Sequence, residues 1–177
     1  MSEPIKIQLG CGQKYLPGWI NCDVVPEVRA DRYFDLEKFP YPFPENYADE
    51  IYMDQVLEHL SDVVKVVEEI HRILKPGGVA RIIVPYAKGD GAFQDPTHRH
   101  FFTEKTMHYF TEDFEYNFYS RCRFKLLRAE LTGLDDTWRK KIRNALPLRS
   151  LLNWFLWNIY DCVSYEMQKL PLEPKKS

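Results

Sequence analysis

Short apolar runs separated by turn residues dominate the first half of the chain. Residues 5–9 (IKIQL) and 19–24 (WINCDV) predict two strands, the first running into the turn Gly10-Cys11-Gly12 and the second ending in the acid Asp23. Pro40, Pro42 and Pro44 mark a loop, because each fixes its φ angle and lacks a ladder donor. ADEIYMD, residues 48–54, predicts another strand. Ser61 is the expected N-cap of a helix in which Val63, Val66, Val67, Ile70 and Leu74 recur at helical spacing, with Lys65, Glu68, Glu69 and Arg72 on the opposite side. Lys75-Pro76-Gly77-Gly78 stops that helix. VARIIV, residues 79–84, is apolar nearly throughout, which predicts a strand buried on both faces of a parallel sheet. Strand, helix, tight turn and buried strand in succession make an α/β fold.

From Tyr86 the pattern changes. The stretch to Phe110 is rich in glycine, histidine and aromatics without a clean period, so it predicts loops and short helical pieces over the sheet. SRCRFKLLRAEL alternates Cys122, Phe124 and Leu126 with Arg121, Arg123 and Lys125, a half-buried strand with one basic face. Arg139, Lys140, Lys141, Arg143 and Arg149 follow without an intervening acid, and residues 151–168 predict an aromatic helix. Leu151, Leu152, Phe155, Leu156, Ile159 and Val163 fill its docking side, and Trp154 and Trp157 project among Asn153, Asn158 and Asp161. The tail LPLEPKKS is either an edge strand or disordered.

Composition narrows the class. A chain of 177 residues with 45% hydrophobic and 28% charged residues is expected to form one domain, residues 1–86 as a core and 87–177 as loops, basic strand and C-terminal helix. A formal net charge of -2 argues against a generic nucleic-acid binder. Cys11, Cys22, Cys122 and Cys162 form no CxxC pair and the N-terminus carries no apolar signal stretch, so free thiols and a cytoplasmic location are expected. Cysteine spacing argues against a zinc ribbon, and although His98 and His100 with Asp95 and His59 could in principle ligate a metal, no metal site is assigned.

Gly10-Cys11-Gly12 gains meaning from its position after an apolar strand, with an acid, Asp23, closing the next strand where ribose hydroxyls could be bound. Only nine residues, Gly10 to Gly18, separate the two strands, too few for the usual crossover helix, and Lys14 stands where a third glycine would serve a pyrophosphate. A nicotinamide or flavin dinucleotide is therefore disfavoured. The stretches IQLGCGQKYLPGWINCD, ADEIYMDQVLEHL and EEIHRILKPGGVARIIVPY, in this order and spacing, resemble the class I S-adenosylmethionine-dependent methyltransferases, in particular a short, type 11-like group. The resemblance covers residues 5–86, about half the chain. It implies a Rossmann-like fold with a mainly parallel sheet, an abbreviated first crossover and a helical, aromatic C-terminal elaboration.

It also implies roles for individual residues. Gly10, Cys11 and Gly12 would contact the methionine part of S-adenosyl-L-methionine through backbone, Asp23 the ribose, and Asp35 and Leu36 would flank the adenine. Asp54 and Gln55 would sit near the sulfonium, and Glu58 and His59 beside the substrate entrance. The chain departs from the wider family in Gln8, where an acid is usual, and in Lys14. His59, His98 and His100 are the candidate bases, with Asp95, Arg121 and Arg123 on the substrate side. The expected activity is methyl transfer to oxygen or nitrogen of a small molecule or glycan; the alternative is a non-catalytic nucleoside-binding module of the same fold. Exposed Trp154 and Trp157 beside basic residues suggest peripheral contact with a membrane or a protein.

Overall fold

The computed structural model describes residues 3–115, 118–120, 122–134 and 137–170. Seven strands form one sheet in the order β3-β2-β1-β4-β5-β7-β6. They are β1 (Lys6–Leu9), β2 (Ile20–Asp23), β3 (Arg32–Tyr33), β4 (Ala48–Asp54), β5 (Leu74–Pro85), β6 (Phe124–Thr132) and β7 (Cys162–Lys169). The first five pair in parallel, and β7 runs antiparallel between β5 and β6. The predicted α/β architecture is therefore present, and the C-terminal ends of β1, β2, β4 and β5 open on one end of the sheet.

Helix α1 (Val63–Ile73) buries Val66, Val67, Ile70 and Ile73 against one face of that sheet, where Ile7, Leu9, Ile51, Met53, Ala80 and Ile82 form the core. Its N-cap is Asp62, whose side chain accepts from the Lys65 amide, rather than Ser61. The Ser61 amide and hydroxyl instead donate to Glu37. The polar side of α1 is more than a wetted surface. Arg72 pairs with Glu69 at 2.7 Å and donates to the carbonyls of Tyr41 and Phe43, while Glu69 accepts from the Tyr41 amide. These contacts hold the Pro40–Pro44 loop so that Tyr41 and Phe43 enter the core.

The other face departs from the sequence expectation. In β5, Ala80, Ile82 and Val84 are buried, whereas Arg81 on the opposite face is exposed. Lys6, Glu50, Arg81 and Glu166 form a chain of ion pairs across β1, β4, β5 and β7 on that face. The sheet is thus covered by a helix on one side and kept wettable on the other. Residues 10–19 lie over the β1–β2 corner of the polar face, tied by the Asn21 side chain, which accepts from the Leu16 amide and donates to the carbonyls of Leu16 and Trp19.

The C-terminal half also differs from expectation. The predicted helix over 151–168 is instead a short helix, α4 (Arg149–Phe155), followed by β7. Val163, Tyr165 and Met167 are buried at alternate positions, a period-two pattern that the preceding aromatic run obscures. Two further short helices are α2 (Gly91–Gln94) and α3 (Trp138–Asn144). The expected docking side of the aromatic segment forms only in part: Leu152, Ile159 and Val163 pack inward, whereas Leu151, Phe155 and Leu156 are exposed along with Trp154 and Trp157. No helix among the described residues is long and apolar enough to cross a membrane. Arg121 and the tail after Leu170 lie outside the described residues.

At the end of the sheet away from the turn, His71 is buried and its Nε2 donates to the carbonyls of Arg123 and Leu170. Burial, aided by the Lys169 ammonium, pushes its pKa down from 6.5 to about 4. The folded state therefore resists a proton that the unfolded chain accepts, so stability present above pH 6.5 is lost as the pH falls toward 4, by roughly 3 kcal/mol in all. Thermal melts between pH 7.5 and 4 should show this loss in the natural chain and a shallower one in His71→Gln.

Candidate functional site

The turn after β1 is built on two left-handed glycines, Gly10 with φ +69° and Gly12 with φ +48°. The two do different things. A Cβ on Gly10 would lie 2.5 Å from a Val56 methyl, so its missing side chain lets the loop after β4 pack against the turn. A Cβ on Gly12 would meet nothing within 4 Å, so bare backbone faces open space there. Between them Cys11 is buried, and its amide donates to the Cys22 carbonyl. That bond ties the turn to β2 and leaves the Cys11 N–H unavailable to a ligand.

Asp23, at the end of β2, accepts from the Gly12 amide at 2.7 Å and from the Val25 amide at 3.0 Å. A carboxylate with two amide donors keeps lone pairs for further donors such as vicinal hydroxyls. The Lys14 ammonium reaches the Asp54 carboxylate at 3.0 Å and the Tyr52 hydroxyl at 3.1 Å, and that hydroxyl also donates to Asp54. A positive charge thus stands beside the glycine turn where a crossover helix would have offered only its N-terminal dipole. In the loop after β3, Asp35 caps the Glu37 amide and pairs with Lys38, while Leu36 is buried. Open backbone at Gly12, spare acceptor capacity at Asp23 and the Lys14 cation fit an amino-acid nucleoside.

A cavity of about 640 Å³ opens at the same end of the sheet, against the residues that follow β4 and β5. Gln55, Glu58, His59, Asp95 and His98 line one side of it, and Arg139, Lys140, Arg143 and Asp161 another. Gln55 holds a left-handed φ of +56°, a conformation costly for a side-chain-bearing residue, at the junction between β4 and the 3-10 turn Leu57–His59. The Glu58 carbonyl accepts from the amides of Arg99 and His100, which draws the DPTH segment over that turn. His59 and His98 consequently meet edge to face, ring centroids 4.7 Å apart.

Glu58 is 1% exposed, and neither carboxylate oxygen has a hydrogen-bond partner among the described residues. Burial pushes its pKa up to about 7, against the pull of its own amide and of the His98 ring. The Nδ1 of His98 bonds the Ala92 carbonyl at 3.0 Å, and the Nδ1 of His59 bonds the Thr97 hydroxyl, which donates to Asp95. Glu58, His59, His98 and Asp95 therefore come together. His100 does not join them: it stays out of the cavity wall, with its Nε2 buried and unpartnered among the described residues.

Arg123 lies at the far end of the sheet beside His71, and its guanidinium donates to the carbonyls of Ser120 and Cys122. The strand it precedes enters from that far end, so Arg123 and Lys125 cannot reach the cavity. The cations that do line it, Arg139, Lys140 and Arg143, belong to the acid-free segment already visible in the sequence. Arg143 and Lys140 both pair with Asp161. Gln94 and Thr137 also line the cavity and carried no sequence signal, nor did Cys162, which accepts from Gln55, since a lone cysteine there reads only as an apolar strand residue.

Residues 8–82 match the model of the methyltransferase domain family, type 11. No curated protein matches the chain. Solved structures similar to it include an S-adenosylmethionine-dependent methyltransferase from Archaeoglobus fulgidus (16% identity, TM-score 0.61, covering 94% of this chain and 86% of that one). A second is the corresponding enzyme of Mesorhizobium loti (13% identity, TM-score 0.59, 93% and 90%). A third is phosphoethanolamine N-methyltransferase 1 of Haemonchus contortus, solved with phosphoethanolamine and S-adenosylhomocysteine (10% identity, TM-score 0.62, 100% and 41%).

The two glycines should separate by experiment. Gly10→Ala meets both left-handed strain and Val56, so urea unfolding should show a loss of more than about 2 kcal/mol. Gly12→Ala should cost only about 1 kcal/mol, for the backbone conformation alone, yet weaken S-adenosylhomocysteine binding in calorimetry. The strand order, the glycine turn with its following acid and the matched residues 8–82 agree: the chain has the Rossmann-like methyltransferase fold, and residues 8–82 are similar to the methyltransferase domain family.

Proposed function

We propose that the protein transfers the methyl group of S-adenosylmethionine to an oxygen or nitrogen of a small polar molecule or glycan bound in the 640 Å³ cavity. The observation that carries this reading is adjacency: the cavity wall begins at Gln55, the residue after Asp54 at the end of β4, on the same end of the sheet as Gly12 and Asp23. Gln55, Gln94, Thr137 and Asn158 line it with amides and a hydroxyl, a surface suited to a hydroxyl-rich acceptor.

When bound, the cofactor supplies an electrophilic methyl on a sulfonium. The chain's residues hold and aim. Gly12 lets the backbone approach, Asp23 accepts from the ribose hydroxyls, Asp35 and Leu36 flank the base, and Lys14 meets the amino-acid carboxylate. The cavity excludes water and sets the acceptor in line with the methyl, and positioning of this kind can lower a barrier by several kcal/mol. The corner of Glu58, His59 and His98 is where the acceptor is made nucleophilic.

Calorimetry with S-adenosylhomocysteine tests the binding half. Heat is expected from the natural chain, with affinity about tenfold lower in Asp23→Asn and in Lys14→Met, each of which loses a charge-assisted contact. Absence of heat from the natural chain overturns the reading. Methyl release over a panel of glycans and polyols tests the catalytic half; tight binding without turnover on any acceptor favours the non-catalytic module.

We infer further that the segment 137–160 rests on an anionic membrane surface. It holds no acid, and Trp138, Trp154, Phe155 and Trp157 are exposed, Trp154 by 81%, beside Arg139 and Lys141. Exposed indoles among cations suit the headgroup boundary. The chain should sediment with vesicles containing phosphatidylglycerol and not with neutral ones, and Trp154→Ser with Trp157→Ser should release it. Failure to sediment with either removes the membrane and leaves a protein partner for this surface.

A further inference from the structure

We propose that Glu58, His59 and His98 hold a divalent transition-metal ion in the floor of the cavity, and that this ion binds and activates a hydroxyl acceptor. The proposal rests on the methyl-transfer reading and deepens it. One donor atom from each of the three residues lies within 4.8 Å of those of the other two. Closeness alone would not suffice, but two independent features point to a ligand. The first is Glu58 itself, 1% exposed with both carboxylate oxygens lacking a partner among the described residues. A buried carboxylate without donors is costly and rare unless a cation completes it.

The second is the way both imidazoles are aimed. Each uses Nδ1 for a protein contact, His98 to the Ala92 carbonyl and His59 to the Thr97 hydroxyl backed by Asp95, so each keeps Nε2 for something else. Anchoring one ring nitrogen to a carbonyl or a carboxylate relay while the other is left free is how metal-bound histidines are oriented. Two imidazoles and one carboxylate suit zinc, iron, cobalt or manganese, and three protein ligands leave positions open toward the cavity.

The chemistry then balances without a protein base at the reacting oxygen. A hydroxyl on the ion acidifies and loses its proton to water. The resulting alkoxide attacks the methyl carbon, the C–O bond forms as the C–S bond breaks, and the sulfonium leaves as a neutral thioether. The open positions favour acceptors with a second oxygen beside the reacting one, such as a vicinal diol of a sugar, which can chelate.

Calorimetric titration of chelator-treated protein with Zn2+ and with Co2+ tests the site, with the visible absorption of bound Co2+ as a second readout. One ion per chain is expected. Affinity should fall at least tenfold in Glu58→Gln and in His98→Ala, and 10- to 100-fold in Thr97→Val, which only loosens the orientation of His59. The same variants should keep the natural affinity for S-adenosylhomocysteine, which shows that they fold and separates this site from the cofactor site. No binding of either ion, or binding undiminished by these changes, overturns the metal proposal while leaving methyl transfer in place. Loss of S-adenosylhomocysteine binding by the natural chain would instead remove the functional reading on which it rests.

Discussion

A link of ten residues between two parallel strands can return the chain but cannot cover a whole sheet face. Gly10 to Trp19 need only travel back along the four residues of β2, about 13 Å at strand rise, a span that such a link reaches easily in an irregular path. What it cannot do is lay a helix across the face. Parallel sheets are ordinarily buried on both sides; here the second side is covered by the link only at the β1–β2 corner, where Gln8 and Asn21 are buried. The rest of the architecture follows from that shortage. Lys6, Glu50, Arg81 and Glu166 make the neighbouring part of that face wettable, the main core gathers on the α1 side, and Arg72 and Glu69 are committed to holding the proline loop closed over it.

The same shortage shapes the site. Without a helix N-terminus beside the glycine turn, local positive charge comes from Lys14, held between Tyr52 and Asp54. Nearby, the Glu58 carbonyl anchors the amides of Arg99 and His100, so a loop from after β5 becomes part of the wall beside β4. One backbone acceptor thereby brings DPTH and LEH, some forty residues apart, into a single polar corner. The cavity and the glycine turn then both lie at the carboxyl ends of the parallel strands, the edge at which α/β sheets bind ligands.

Much of the first half was legible because its signals are local. A glycine turn after an apolar run, a proline-marked loop and the helical period of Val66, Val67 and Ile70 each depend on residues within a few positions of one another. The β7 strand was hidden for the opposite reason. Its alternation of Val163, Tyr165 and Met167 follows a run of aromatics at helical spacing, and only pairing with β5 and β6 decides between the two periods. Arg123 was misplaced toward the substrate because strand direction, which puts it beside His71, is a property of the sheet and not of the alternating stretch that contains it.

By itself the amino-acid order determined the class of fold, the glycine turn with its acid, and the group of methyltransferase domains that residues 8–82 match, since all three reside in short-range pattern. Only the tertiary structure decided that one face of the sheet carries a chain of ion pairs, that Cys11 is spent on Cys22, and that Glu58 is sealed beside His59 and His98 with no hydrogen-bond partner for its carboxylate among the described residues. Burial and missing partners are relations between segments far apart in the chain. No local pattern carries them.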